Sequence, residues 1–522
     1  MKKRFLFFIV LITITLVLSS CEFIIPKTIP LFIKPESDYA WVSPGASITY
    51  SIFTNINVSE CTIKINNDTI TDPKVLSIAS TDITYNGVEI EAKKYTLNLS
   101  NYSKVSTSDL SFDLDMNVKR GNKILEWKKK VFFGKTVNKK IVNQEDIQST
   151  YQAYQLQNPE ILNNLTVIST VIIKNCNNIK VNGSLEINGG SIVFENQDNN
   201  ITLEPSGTSW NGLILSNNGK LNYGKSKLYI IKAKTGVKIT SCNRDYKFEN
   251  ITFNNTLGSK NIGIYNDAQS NITISNSVFY HCLSSVINRG TGELNLENCK
   301  INYQNGSLKI YGKTKMYSCT LSNLSAKESA ITSEGTSLTF SASPAIVVAS
   351  DFTMKKCKIE NFTLGIYVKT AVSTLNITNN TLEGNTVGIL LNANIIKSPN
   401  ISIEKNIISG KITKISTPTA ISDMAALKDC GIVTRNCDGS ILSQNKIENY
   451  SYGIAAFNNG ESQFFSSSNI GNDIINSNIY SQNPANFAYS YWGTSDINEI
   501  VKRTNPQTNI RITPIATKST YN

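Results

Sequence analysis

The chain has 522 residues, 17% of them charged and 40% hydrophobic. That length exceeds one ordinary core, and low charge with abundant Asn, Ser and Thr fits neither a disordered chain nor a typical cytosolic enzyme. Lys and Arg exceed Asp and Glu by 12. With no basic run interleaved with aromatics, this suggests weak attraction to acidic polysaccharide or a lipid surface rather than nucleic acid.

Residues 1–20 read as a signal peptide. Lys2, Lys3 and Arg4 precede an apolar run from Phe5 to Leu18, too short to span a bilayer comfortably. The run ends in Leu18-Ser19-Ser20-Cys21, which resembles the bacterial lipobox. The resemblance implies that the leader is cut before Cys21, that its thiol takes a diacylglyceryl group and that its amine is acylated. Such an anchor exceeds the two-signal threshold for stable attachment. It implies a cell-envelope location with the membrane as partner. Glu22, where Asp would mark inner-membrane retention, favours the outer membrane or cell surface of a Gram-negative cell.

Residues 21–35 form a tether, and 36–140 change character. Ser47–Phe53, Cys61–Ile65, Lys94–Leu99, Leu110–Met116 and Lys123–Phe133 alternate apolar and polar residues, with Trp127 on the apolar side. Short alternating strands over such a span predict a small immunoglobulin-like β-sandwich, without the Cys-Trp-Cys spacing of a true immunoglobulin domain. Residues 141–163 are a linker in which Asn143 to Leu156 is expected to form a short helix capping the open edge of a solenoid.

Residues 164–493 are dominated by a repeat. One unit reads apolar-x-(Asn/Ser/Lys/Gln)-(Asn/Cys/Ser)-x-apolar, as in Ile274–Phe279, Leu296–Ile301, Met316–Leu321, Met354–Ile359, Ile377–Leu382, Ile403–Ile408 and Leu442–Ile447. Between copies stands a small residue followed by an aliphatic one: Gly263-Ile264, Ser285-Val286, Ser307-Leu308, Ala330-Ile331, Gly365-Ile366, Gly388-Ile389, Gly431-Ile432 and Gly453-Ile454. Where no insertion intervenes the period is 22 or 23 residues. A fixed period of this size means one solenoid coil per unit, and β-branched composition builds the coil of strands. Parallel neighbours connect right-handedly. The fold class is therefore all-β: a right-handed parallel β-helix preceded by the small sandwich.

The Asn, Ser and Cys slot is expected to stack as a ladder of amides bonding from coil to coil. Cys299, Cys319 and Cys357 share that slot with Asn380, Asn406 and Asn445. There they act as small buried hydrophobes rather than as metal ligands or a disulfide. Residues 494–522 form a C-terminal cap and tail, with a capped helical turn at Ser495–Val501.

The Asn-rich coils, the Trp210-Asn-Gly-Leu entry and the Tyr491-Trp-Gly exit resemble bacterial exported β-helix proteins of the pectate-lyase-like class. The resemblance implies a carbohydrate or cell-surface context over residues 160–515 and supplies no active site. The Asp trio, Gly-His-Gly and Arg-Ile-Lys of polygalacturonase-type hydrolases do not occur, and the one His, His281, lies in Tyr-His-Cys. No catalytic residue, metal ligand or cofactor is assigned. A polysaccharide lyase or glycoside hydrolase is the alternative reading.

One file of residues suggests a binding face. Three positions after each aliphatic residue stand Asp267, Arg289, Tyr311, Glu334 and Lys369. They offer charges for hydroxyls or uronates and an aromatic platform, while a merely solvated face of alternating sign is the plainer reading. Insertions at Ser333–Ser350 and Ile412–Asp429 break the period and are the other places for binding. The sequence thus predicts a lipid-anchored envelope protein whose β-helix binds polysaccharide or another envelope protein.

Overall fold

A computed structural model describes residues 32–35, 41–42, 49–55, 60–85, 88–98, 111–148, 153–174, 176–195, 200–254, 261–303, 306–323, 331–334, 337–340, 343–418, 421, 429–457 and 462–521. Cys21 and the leader lie outside them. Two compact units divide the chain: 1–136 with 151–153, and 137–150 with 154–522.

The first unit is antiparallel apart from Trp41–Val42, which runs parallel to Phe132–Phe133. Ile33–Pro35, Thr49–Asn55, Val88–Asn98 and Leu76–Tyr85 are neighbours in that order in one sheet. Asp68–Thr69, Glu60–Ile65, Ser111–Arg120 and Lys123–Val137 neighbour one another in a second. Ile52, Tyr95 and Leu97 from the first meet Ile63, Ile65, Leu114, Met116 and Val118 from the second in one core, and Trp127 packs against it. Leu76–Tyr85 escapes the sequence pattern because it sits at a sheet edge, where Ile78 remains 54% exposed and apolar alternation is not enforced.

The second unit is a parallel β-solenoid whose regular coils carry three strands. Ile262–Asp267, Ile272–Ser275 and Val278–Tyr280 form one coil, and Ser284–Asn288, Leu294–Glu297 and Lys300–Tyr303 form the next, strand pairing with like strand. The aliphatic residues of the small–aliphatic pairs stack into a file through Ile264, Val286, Ile366, Ile389, Ile432 and Ile454, all fully buried. The small partner is needed because the next coil passes close. A Cβ on Gly263 would stand 2.4 Å from the Ser285 carbonyl oxygen.

The polar pair of each unit has two separate jobs. Its first residue bends the chain at positive φ, between 49° and 56° at Asn276, Asn298, Ser318, Lys356, Asn379, Lys405 and Gln444. Its second points inward and forms the ladder. Asn380 Nδ2 donates to Asn406 Oδ1 at 3.0 Å, Asn406 Nδ2 to Asn445 Oδ1 at 2.9 Å, and Asn445 Nδ2 to Asn472 Oδ1 at 3.0 Å. Cys319, Cys357 and Cys299 continue the file as buried free thiols, the Cys319 amide donating to Cys357 Sγ at 3.3 Å.

The expected helix at Asn143–Leu156 is absent. A single 3-10 turn, Gln144–Ile147, is followed by the strand Ala153–Gln157. Parallel pairing already begins at Ile141–Val142, which lies beside Ile161–Leu162. The physical reason is an open edge: Gln144 Nε2 donates to the Thr166 carbonyl at 3.1 Å and its Oε1 accepts the Thr166 amide at 2.7 Å. One side chain thereby stands in for a missing coil. At the other end the helix Ile497–Lys502, capped by Asp496, agrees with the sequence expectation. Arg503 comes directly after it, donating to the carbonyls of Ile474, Ser477 and Trp492.

Candidate functional site

In each coil a corner separates the first strand from the second, and its opening residue is the candidate file. Asn266 lies beside Asn288, Asn288 beside Ile310, Ile310 beside Val348 and Val348 beside Val368. The next residues along the chain are Asp267, Arg289, Tyr311, Ala349 and Lys369. Asp267, Arg289, Tyr311 and Lys369 are exposed, as the file requires.

Glu334 does not belong to the file. It lies in a hairpin, Ile331–Glu334 against Ser337–Phe340, outside the coils. Leu308 pairs instead with Ile346, so Ala345-Ile346 is the true small–aliphatic pair and the extra residues precede it. Two such pairs stand fifteen residues apart in the sequence, and equal offsets fit the first while the coil uses the second. Ala330 lies outside the described residues.

Four successive corners enclose a concavity of about 610 Å³. Asn217 and Asn218 line it from the first coil, Thr240, Ser241 and Asn243 from the second, Asp267 and Gln269 from the third, Arg289 and Thr291 from the fourth. The recess exists because the floor is made of small residues in close contact. A Cβ on Gly290 would lie 2.0 Å from the Ala268 carbonyl oxygen. Beneath it a second amide ladder fixes the corners: Asn266 Nδ2 donates to Asn288 Oδ1 at 2.9 Å, and Asn288 Nδ2 to the Lys313 carbonyl at 3.3 Å. Asn218 Oδ1 accepts the amides of Asn243 and Arg244, tying the second corner to the first.

At one end of the recess the Arg289 guanidinium stands 5.5 Å from the centre of the Tyr311 ring, a cation–π contact on a ring that is 41% exposed. Three of the five file residues, Asp267, Arg289 and Tyr311, therefore stand on successive corners, Lys369 lies two coils farther along, and Glu334 lies elsewhere. The clearest copies of the repeat begin after the first two coils and so do not reach Asn217, Asn218, Thr240, Ser241 and Asn243. One more step back, the pair Gly236-Val237 would have led to Thr240, which lies beside Asp267.

Of the second insertion, residues 412–418, 421 and 429 are among those described. Its described residues bond to the last coils: Asn476 and Asn478 reach the carbonyls of Thr413 and Ser416, Asn505 reaches Pro418, and the Tyr480 hydroxyl donates to the Ile421 carbonyl at 3.0 Å. Ile421 completes an apolar cluster with Leu390, Val433, Ala455, Phe457 and Tyr480.

Among the described residues no group of three or more His, Cys, Asp or Glu is placed to hold a metal ion. Residues 211–393 and, overlapping them, 284–464 match the family described as the right handed beta helix region. The solenoid is a right-handed parallel β-helix. No curated protein matches the chain. The concavity opens on the corner of this β-helix, where amides, hydroxyls and one pair of opposite charges converge.

Proposed function

We propose that this chain is a lipid-anchored cell-envelope protein whose β-helix presents a glycan-binding surface at Asp267, Arg289 and Tyr311. The observation that carries the reading is the polar concavity with an aromatic face at its end, since few convergent polar groups beside an apolar platform suit a sugar. A right-handed β-helix is consistent with a carbohydrate-binding or pectate-lyase-like protein. In this reading Cys21 carries the lipid, the immunoglobulin-like sandwich is a spacer, and Lys369 extends the surface for longer ligands. A neighbouring envelope protein could use the same face.

Binding without cleavage is favoured because hydrolysis by paired carboxylates needs a second acid roughly 5–10 Å from the first. Asp267 is the carboxylate among the described residues that line the recess. A glycan array probed with the full chain tests the reading, and each ligand found is then incubated and examined for products. Failure to retain any glycan would remove it. Unsaturated products from a polyuronate, with or without Ca²⁺, would turn it into a lyase.

A further inference from the structure

The recess is electrically balanced within a chain of net charge +12. Asp267 and Arg289 stand on adjacent corners, and Asn217, Asn243, Gln269 and Thr291 add neutral amides and a hydroxyl. We propose that this recess takes a neutral, hydroxyl-rich oligosaccharide and discriminates against uronates, with Asp267 as the residue that discriminates. The inference rests on the glycan-binding reading and narrows it.

The argument is one of donors and acceptors. An ionised carboxylate only accepts hydrogen bonds and a guanidinium only donates them, whereas a sugar hydroxyl does both. Neighbouring hydroxyls can therefore serve Asp267 and Arg289 together, and the amides in turn. Of the two charged groups, a uronate carboxylate can serve Arg289 alone. Held there, it stands about one coil, ~4.8 Å, from the Asp267 corner and meets a like charge. One face of the Arg289 group is already turned to Tyr311. The lining also runs along the solenoid axis: three steps of ~4.8 Å span about 14 Å, the reach of a chain rather than of a single sugar.

Titration calorimetry of the full chain in detergent tests this with cellohexaose, xylohexaose, mannohexaose and hexagalacturonate, each at low and high salt. At least one neutral probe should bind more tightly than hexagalacturonate. Its affinity should change less than about twofold between roughly 0.05 and 0.5 M NaCl, because no net charge is exchanged. Asp267→Asn should weaken that neutral probe by about tenfold, as expected for a lost charge-assisted bond. It should also strengthen hexagalacturonate by about threefold or more as repulsion is relieved. Tighter binding of hexagalacturonate by the parent, or an unchanged neutral-to-uronate ratio in Asp267→Asn, overturns the inference while leaving glycan binding intact. No binding of any probe by the parent overturns both. Asp267 is exposed, so equal melting curves for the two proteins guard against misfolding.

Discussion

Asn406 has no exposed surface, and its amide bonds in both directions along the solenoid. Nδ2 donates to the Ile377 carbonyl at 2.8 Å and to Asn445, while Oδ1 accepts the backbone and side-chain amides of Asn380, both at 3.0 Å. Asn406→Ala leaves those partners buried without it and should cost about 1–3 kcal/mol, read as a lower denaturation midpoint. An unchanged midpoint would show the ladder to be dispensable. Glu293 makes a different claim, on pH. Burial pushes its carboxyl up, but Lys315 at 2.8 Å and Lys313 at 2.9 Å outweigh that and hold it below the usual carboxylate range. A carboxyl lowered on folding stabilises above its unfolded value and loses that contribution as pH falls through the folded one. Glu293→Gln should therefore destabilise near neutrality and show a shallower acid loss than the parent, measured by melting at a series of pH values. Tyr311 belongs to the surface instead. Tyr311→Ala should weaken glycan binding by about 1 kcal/mol or more with little change in melting temperature. A lowered melting temperature with unchanged affinity would return this ring to a structural role.

The chain over 411–421 is the element whose behaviour the repeat did not foretell. Side-chain donors hold its carbonyls, and Ile421, 7% exposed, is its apolar anchor. Ile421→Asp should detach it, so that limited proteolysis cuts within 411–421 sooner while the strand signal in circular dichroism persists. Tyr480→Phe, which removes one hydrogen bond worth about 1 kcal/mol, should have the same effect more weakly. Unchanged cleavage in both variants would mean that other contacts hold the segment. The contrast with the coils shows what sequence can carry. The regular coils repeat the same local requirements, a bend at positive φ, an inward Asn, Cys or Ser and a small residue under its neighbour, so the same residue types recur and the solenoid can be read. The insertions answer to a surface that occurs once and leave no period. The misplacement of Glu334 has the same origin, because a hairpin can imitate one small–aliphatic pair while only pairing with Leu308 reveals Ile346 as the real one. The Asn143–Leu156 segment failed as a helix for a related reason: Gln144 answers the unpaired groups of Thr166 on an edge that exists once in the molecule.

For the whole molecule the proposal with the widest consequence is the lipid anchor. No helix among the described residues is long and apolar enough to cross one. The proposed attachment is Cys21, behind the run Phe5–Leu18, where the thiol would carry a diacylglyceryl group and the freed amine a further acyl chain. A single chain gives marginal, reversible binding at about 0.8 kcal/mol per buried CH₂, whereas two or more hold stably. The consequence is all-or-none. The parent should incorporate labelled palmitate, migrate at the size of the processed chain and partition into the detergent phase. Cys21→Ser removes the nucleophile for lipidation, so it should take up no label and retain its leader, running larger by the mass of residues 1–20. Its solenoid should melt as the parent's does, since the substitution leaves every coil unchanged. Equal labelling of the two proteins would mean that the lipid sits elsewhere. Cleavage of Cys21→Ser at the same place without label would mean an ordinary secretory leader, and the glycan surface would then act in solution rather than at an envelope.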